Sequence, residues 1–347
     1  MRIGTSRHAA KRLAYHSDAE IFGKKLRTEA YIMKKFDKVQ LGIFPTPMYR
    51  LDNMSRELGV NVYIKRDDMC GVALGGNKVR KLQYLLADAR AKGMDLVMTT
   101  GQAQSNHAML TAACALKMGM EPVLVLKKRG VTERKGNQIL NYLMGAEVRY
   151  VDTDSYDDIY AEMDRIALEK GRPAYKIPCG GSNALGSMGY IDCMREVADS
   201  GVRIDHVVCA CGSGGTAAGT ILGAKLYLPK AKVVAPMVDS DPFDEIVPSI
   251  MRDMIALMEL DMDAPKADLI DMCGPGYSIP SREGNEAIAL MMRLEGIVLD
   301  TCYTGKAFAG LIKRAREGGF AKDDNVLFIH TGGAGGLFAQ DWEHMAL

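Results

Sequence analysis

The sequence lacks any marked excess of charge of one sign. Its 347 residues carry 44 Lys and Arg against 43 Asp and Glu, which leaves a formal net charge of +1. This balance gives no electrostatic argument for binding nucleic acid or an anionic membrane. No apolar run reaches the roughly 20 residues that cross a bilayer. We therefore expect neither nucleic acid nor membrane as a partner.

Cysteine and histidine are present without the spacing that binds metals. The eight cysteines include no Cys-x-x-Cys pair, and the six histidines show no ligand pattern. Cys209 and Cys211 lie two residues apart in a predicted strand, so both are expected to be buried core thiols. Because no secretory signal is evident, we expect no metal and a reduced, cytoplasmic compartment.

The first 32 residues differ from the rest of the chain. Residues 1–32 are basic and contain no convincing strand, so we expect an irregular, weakly helical or disordered extension. Asp18, Glu20 and Glu29 count against a transit peptide, and a start of translation at Met33 would explain the segment. Beyond it, 48% hydrophobic and 25% charged residues are typical of a globular protein long enough for two domains.

From residue 39 onward, short apolar runs alternate with helical patterns. The predicted strands are Val62–Lys65, Leu96–Thr100, Val123–Leu126, Val148–Asp152, Ala174–Ile177, His206–Cys211, Lys232–Val238, Ile297–Leu299 and Val326–His330. The helical patterns between them include Lys78–Lys92, His107–Met118, Thr132–Met144, Tyr156–Glu169 and Thr216–Leu226. This alternation indicates an α/β fold with open, mostly parallel sheets covered by helices on both faces. Ligands of such folds bind where strands end in loops.

One lysine stands out in the segment Gly75–Lys81, which reads Gly-Gly-Asn-Lys-Val-Arg-Lys. Lys78 follows two glycines that let backbone approach a flat ligand. A lysine performs covalent chemistry when its surroundings lower its pKa beside a bound carbonyl compound. The alternative interpretation is a glycine turn before a basic helix start.

A second loop, Thr99–His107, separates a predicted strand from a predicted helix. Asn106 offers an amide to a ligand oxygen, and Ser105 presents a hydroxyl. Ser and Asn are also preferred N-caps, so the loop alone leaves capping as an equal alternative.

A third loop, Gly212–Thr216, opens a helix and predicts a phosphate site, because helix N-termini attract anions. Together with Ala217 it also matches Gly-x-Gly-x-x-Ala, and Asp239 ends the next predicted strand. A nicotinamide-dependent reductase is therefore the competing enzyme hypothesis.

Two tyrosines and a threonine follow later in the chain. Tyr277 and Tyr303 each lie beside a turn, and Thr331 ends a buried strand before two glycines. Taken singly, the tyrosines read as packed residues and Thr331 as a strand-end cap.

In combination, these segments resemble pyridoxal-phosphate enzymes of fold type II, the tryptophan-synthase-β-like group. Within that group they resemble the D-cysteine desulfhydrase and 1-aminocyclopropane-1-carboxylate deaminase family, over roughly 85% of the chain by the span of the motifs. The motifs that carry the resemblance are Tyr63–Asp68, Gly75–Lys81, Gln104–His107, Gly180–Ser182, Tyr303–Lys306 and His330–Gly333.

The resemblance implies a role for each site residue. Lys78 would hold pyridoxal 5'-phosphate as a Schiff base, and Asn106 would bond its ring oxygen. The remaining cofactor-binding residues would be Asn77, Gly212, Ser213, Gly214, Gly215, Thr216, Thr304 and Thr331, with the two threonines near the pyridine nitrogen. The substrate side would be formed by Ser105, Asn106, His107, Tyr277 and Tyr303.

Position 304 departs from the deaminase branch, which has glutamate there. A carboxylate keeps the pyridine nitrogen protonated and strengthens the electron sink, whereas the hydroxyl of Thr304 does not. We therefore expect β-elimination of a small amino acid, with D-cysteine giving pyruvate, sulfide and ammonia. Lys78 would act as general base, and Tyr277 or Tyr303, as a phenol of lowered pKa, would protonate the sulfur.

The same scaffold also fits an L-cysteate sulfo-lyase or a 1-aminocyclopropane-1-carboxylate deaminase. A binding protein without catalysis would keep the phosphate loop but need neither Lys78 nor the tyrosines. The family further implies a homodimer, a large cofactor-binding domain of residues 33–82 plus 190–347, and a small domain of residues 83–189.

Overall fold

The computed structural model describes residues 36–341, so the predicted extension over residues 1–32 and the proposed start at Met33 lie outside the described residues. The strands of the first sheet are β1 (Met48–Arg50), β2 (Asn61–Arg66), β7 (His206–Val208), β8 (Lys232–Met237), β9 (Asp268–Asp271) and β10 (Asn325–His330). Their spatial order is β1-β2-β10-β7-β8-β9. The edge strand β1 runs antiparallel to β2, and the other neighbours pair in parallel.

A second sheet is entirely parallel. Its strands are β3 (Leu96–Gln102), β4 (Glu121–Lys127), β5 (Glu147–Val151) and β6 (Ala174–Ile177), in the order β5-β4-β3-β6. Leu96 pairs with both Glu121 and Ala174, so these strands start level with one another. The loops that leave their carboxyl ends therefore gather at one edge of the sheet.

Helices connect the strands of both sheets. They are α1 (Asp52–Leu58), α2 (Lys78–Ala91), α3 (Asn106–Lys117), α4 (Asn137–Leu143), α5 (Tyr156–Glu169), α6 (Ala184–Asp199), α7 (Gly215–Tyr227), α8 (Phe243–Met258), α9 (Arg282–Glu295), α10 (Thr304–Arg316) and α11 (Ala334–Leu337). Ser105, Ser155, Asn183 and Ser281 cap four of them, each accepting a backbone N–H with its side chain. Among the described helices, none is both long and apolar enough to cross a membrane.

Glycines bring three helices close together behind the sheets. A Cβ on Gly189 of α6 would lie 2.6 Å from the Arg80 carbonyl of α2. A Cβ on Gly219 of α7 would lie 2.6 Å from Tyr190 of α6. Since α6 packs against both α2 and α7, it fixes the N-termini of those two helices relative to each other.

The predicted α/β class with mostly parallel sheets is confirmed, and eight of the nine predicted strands are present within a few residues of their expected bounds. The predicted strand Ile297–Leu299 is wrong. Its apolar residues are buried against the large sheet but form no ladder. The predicted strand over 206–211 ends at Val208, although Cys211 makes an isolated bridge to Met237.

The cysteine prediction agrees with the structure. Cys209 and Cys211 are buried free thiols. Among residues 36–341, no cluster of His, Cys, Asp or Glu has the arrangement of a metal site. The all-parallel sheet lies inside the predicted small domain of residues 83–189, whose boundaries stay a prediction.

Candidate active site

A cavity of about 840 Å³ opens at the carboxyl ends of strands from both sheets. The loops that follow β3, β6, β7, β8 and β10 all contribute to its wall, as expected for a ligand site in an α/β fold. The predicted site residues that line it are Asn77, Lys78, Ser105, Asn106, His107, Gly212, Ser213, Gly214, Thr216, Tyr277, Tyr303 and Thr331. Of the predicted set, Gly215 and Thr304 do not line it.

The glycines before Lys78 approach protein backbone. This corrects the expectation that they approach a flat ligand. A Cβ on Gly75 would overlap the carbonyl of Asp68, and a Cβ on Gly76 would lie 2.8 Å from the carbonyl oxygen of Thr331. Both glycines have positive φ angles, 69° and 132°. Gly76 also bridges Gly332, so the turn before α2 is bound to the end of β10.

Lys78 is the first residue of α2 and reaches the cavity. Burial lowers the pKa of its amine from 10.5 to about 8, although the thiols of Cys179 and Cys302 act in the opposite direction. A larger fraction of the amine is therefore neutral near physiological pH than in an exposed lysine. The neutral form is the nucleophile that attacks an aldehyde.

A buried ionic network, which local sequence patterns do not reveal, supports this turn. Arg80 donates to both carboxylate oxygens of Asp67, at 2.9 and 2.8 Å, and to Glu196 at 2.8 Å. The Asp67 carbonyl accepts the N–H of Gly76 at 3.0 Å. Burial acts to raise the pKa of Asp67, but the charge and hydrogen bonds of Arg80 outweigh it and the pKa is lowered. Arg80 lies two residues after Lys78 in the same motif, and this short spacing is the sequence signal that could have indicated its supporting role.

The second predicted loop combines capping with a ligand role. Ser105 accepts the N–H of Ala108 at 3.1 Å as the N-cap of α3, and it also lines the cavity. The Oδ1 atom of Asn106 accepts from Asn137 at 2.7 Å. The Nδ2 atom of Asn106 is then left to donate to a ligand oxygen, which suits the ring oxygen of the predicted cofactor.

His107 lines the cavity as an uncharged ring. Its Nε2 atom lies 2.8 Å from the hydroxyl of Thr99, and burial holds the pKa of the imidazole well below its usual value. The ring therefore brings no positive charge to a substrate carboxylate. Its predicted contact with substrate is compatible with its position, but only through neutral interactions.

The third loop has the features of an anion site. Gly214, with φ of 81°, precedes the first turn of α7. The backbone N–H groups of that turn have no acceptor within the helix, and this end of α7 lies at the cavity. Ser213 bonds Ser182 at 2.8 Å through their hydroxyls, and Asn77 donates to Thr216 at 2.9 Å. The predicted phosphate residues are thus held together by side chains from three segments.

Lys81 lies behind this loop and was quoted in the motif but not assigned as a site residue. Its side chain is fully buried and donates to the Gly180 carbonyl at 3.0 Å and to Ser182 at 3.1 Å. Burial, together with the charge of Lys78, lowers the pKa of Lys81 well below its usual value. The amine connects the Gly180–Ser182 segment to the loop before α7.

Tyr277 and Tyr303 form a pair on the cavity wall. Their hydroxyls are hydrogen-bonded, and their rings meet edge to face with centroids 5.8 Å apart. A Cβ on Gly212 would lie 2.8 Å from the Tyr303 ring, so that ring rests on the third loop. Burial raises the pKa of both phenols. The expected phenol of lowered pKa is therefore wrong, and both tyrosines stay protonated.

Thr304 is placed differently from the expectation that it lies near a pyridine nitrogen. Its side chain is fully buried, donates to Asp300 at 2.6 Å and accepts the N–H of Asp300 at 2.8 Å. The Asp300 carboxylate also accepts the N–H groups of Cys302 and Tyr303, each at 3.0 Å. Thr304 thus stabilises the turn that presents Tyr303, while Thr331 is the predicted hydroxyl that does line the cavity.

These residues fit pyridoxal phosphate. The helix N-terminus of α7 suits a phosphate, the free amide donor of Asn106 suits a ring oxygen, and the Lys78 amine of lowered pKa suits an aldehyde. A Cβ on Gly180 would overlap the hydroxyl of Ser213, so the wall beside the loop has no room for a side chain at Gly180. The cavity volume is within the range of sites that hold a cofactor with a small substrate.

Comparisons with known proteins agree with this donor set. A family profile described as "Pyridoxal-phosphate dependent enzyme" matches residues 39–332. Two relatives, from Pyrococcus horikoshii and Thermotoga maritima, are both named "Putative 1-aminocyclopropane-1-carboxylate deaminase" and are each 40% identical to this chain. The matches cover 88% of this chain and 95% of the first relative, and 87% of this chain and 98% of the second.

A crystal structure described as that of an "ACC deaminase homologue" is 39% identical, with a TM-score of 0.82 over 88% of this chain and 94% of the other. Pyridoxal phosphate therefore takes precedence over the nicotinamide alternative for the loop before α7. The chain belongs to the pyridoxal-phosphate-dependent enzymes of fold type II, in the group of 1-aminocyclopropane-1-carboxylate deaminases and D-cysteine desulfhydrases, and its cofactor is pyridoxal 5'-phosphate.

Proposed function

We propose that this enzyme catalyses β-elimination from a small amino acid, with D-cysteine giving pyruvate, sulfide and ammonia. The observation that carries the proposal is the meeting, in one cavity, of the Lys78 amine with the protonated pair Tyr277 and Tyr303. Elimination needs a base for the Cα proton and an acid for the leaving group, and this arrangement offers both.

Lys78 is suited to remove the Cα proton. Bound pyridoxal phosphate supplies the electron sink that stabilises negative charge at Cα. A lysine with a pKa of about 8 is close enough to neutral pH to take a proton and return it within one turnover. Its backbone is fixed by the contacts of Gly75 and Gly76, so the amine works from a rigid helix start.

The tyrosine pair is suited to protonate the departing sulfur. Because burial raises the pKa of both phenols, each holds its proton until a more basic group develops nearby. The hydrogen bond between the hydroxyls lets one phenol donate to the sulfur while the other stabilises the resulting charge.

A hydroxyl rather than a carboxylate at Thr331, on the cavity wall, supports elimination over ring opening. Thr304 and Thr331 were the predicted partners of the pyridine nitrogen, and Thr331 is the one on the cavity wall. A hydroxyl leaves the ring a weaker electron sink than a carboxylate does. A weaker sink suits the loss of a good leaving group such as thiolate more than the opening of a cyclopropane.

Deamination of 1-aminocyclopropane-1-carboxylate is the second candidate. It is favoured by the names of the 40% identical relatives. Sulfite loss from L-cysteate would use the same residues with a different leaving group. The homodimer and the cytoplasmic location stay predictions.

Product analysis distinguishes these activities. The purified enzyme with pyridoxal phosphate is mixed with D-cysteine, L-cysteine, L-cysteate or 1-aminocyclopropane-1-carboxylate, and spectra are recorded before and after. Sulfide with pyruvate from D-cysteine supports the proposal, whereas 2-oxobutyrate from the cyclopropane substrate, or sulfite from L-cysteate, with no sulfide from D-cysteine would overturn it. Lys78→Ala should lose turnover and visible absorbance, while Lys313→Ala, at an exposed lysine, should keep both.

A further inference from the structure

The segment Cys273–Ile279, which carries Tyr277, has an unusual backbone. It connects β9 to α9 and includes positive φ angles at Gly274 (63°), Gly276 (143°) and Ser278 (60°). A left-handed conformation is disfavoured for a residue other than glycine, so Ser278 must be held there by its surroundings. Within the segment, the N–H of Ile279 donates to Gly276 at 3.3 Å. The glycine-rich turn also receives contacts from outside the segment.

Lys306 supplies such contacts. It lies in the first turn of α10, is fully buried, and donates from Nζ to the carbonyls of Cys273 and Gly276, each at 2.7 Å. Both acceptors are main-chain carbonyls that flank the glycine-rich turn. One amine thus fixes both ends of the turn that precedes Tyr277.

The same helix carries the other tyrosine. Tyr303 is the N-cap residue of α10, three residues before Lys306, and its hydroxyl bonds that of Tyr277. The Tyr303 backbone is held in turn by the Asp300 carboxylate. The start of α10 therefore determines the position of both phenols, one through the backbone and the other through the Lys306 amine.

We infer that Lys306 is a positioning residue that holds Tyr277 against Tyr303 for proton donation to the leaving group. This inference rests on the proposed elimination for its kinetic consequence. Its structural content, the attachment of the 273–279 segment to α10, does not depend on any substrate. The two parts are therefore testable separately.

The experiment compares Lys306→Met with wild type. Methionine keeps most of the packing volume but cannot donate a hydrogen bond. Hydrogen exchange of peptides covering residues 273–281 is measured on the enzyme with pyridoxal phosphate, and kcat and KM are measured with D-cysteine. Lys313→Met, at an exposed lysine on the same helix, is the matched control. Lys306→Leu, which also lacks a donor, replaces the methionine variant if that variant does not fold, and Lys306→Gln, which retains amide donors, is the conservative variant.

In Lys306→Met we expect exchange in residues 273–281 to rise about tenfold, while the rest of the chain stays unchanged. A misplaced acid should lower kcat by about 100-fold with KM within threefold, because an error of about 1 Å in positioning has that effect. Lys306→Gln should recover part of kcat, and Lys313→Met should match wild type. Unchanged exchange in Lys306→Met, or faster exchange with unchanged kcat, would overturn the inference. If wild type released no product from D-cysteine, the proposed function would fail, and the exchange data would still decide whether Lys306 holds the segment.

Discussion

The pH at which Lys78 captures an aldehyde is a direct test of its environment. The amine has a pKa of about 8, lowered from 10.5 by burial. The neutral amine is the reactive form, so the rate of capture should rise with pH and level off above the pKa. At pH 7 about one amine in ten is neutral, whereas an ordinary lysine has about one in three thousand. The reactive fraction of Lys78 should thus be larger by a factor of about 300.

The measurement uses enzyme stripped of cofactor. Brief pulses of pyridoxal phosphate are given between pH 6 and 10.5, trapped with borohydride, and quantified by peptide mass spectrometry. Labelling of Lys78 should increase about tenfold per pH unit below pH 8 and then become constant. Exposed Lys313, measured in the same digests, serves as the internal control for peptide recovery.

The midpoint of the pH curve decides the outcome rather than the absolute rate, since phosphate binding also accelerates capture at Lys78. A midpoint near 10.5, the ordinary value for lysine, would show that the buried surroundings do not lower the pKa of Lys78. In that case the account of Lys78 as a base near neutral pH would be refuted.

Two further substitutions test the phosphate loop and the turn at Thr304. Gly214→Ala should weaken pyridoxal phosphate binding about tenfold or more, because its φ is 81° and the new Cβ would lie 2.8 Å from Ile246. Gly201→Ala, with φ of 72° and no heavy atom within 4 Å of the Cβ, should show the backbone cost alone and bind normally in a fluorescence titration. Thr304→Glu should lower the free energy of unfolding by about 2–4 kcal/mol in urea, because it buries a second carboxylate beside Asp300. A stable Thr304→Glu enzyme with altered absorbance would instead restore the expectation that this position faces the cofactor.

The general plan of the fold follows from local sequence patterns. Continuous apolar runs such as β4 can be buried on both faces only in a parallel sheet, and the helices between them provide that cover. The missed elements are those with weak local signals. Strands β1 and β9 have three and four residues and lie at the two edges of the first sheet, while Ile297–Leu299 shows that a buried apolar run need not pair. Both errors arise because burial is a tertiary property.

Most of the site could be predicted for a similar reason. Glycine and small polar residues at strand ends mark where backbone must turn and ligands bind, so Lys78, Asn106 and the loop before α7 were recognisable from the sequence. The groups that support them were not. Asp67 and Glu196 are distant from Arg80 in sequence, by 13 and 116 residues, and only folding brings them into contact.

The sequence by itself determined the class of fold, and it identified Lys78 and the loop before α7 as candidate site residues, since both depend on residue type and short spacings. The tertiary structure alone decided that Thr304 binds Asp300, that the two phenols are paired and protonated, and that Lys306 reaches the segment carrying Tyr277. Hydrogen bonds and pKa values depend on which atoms lie within a few ångströms and on how much water is excluded, and local sequence carries neither.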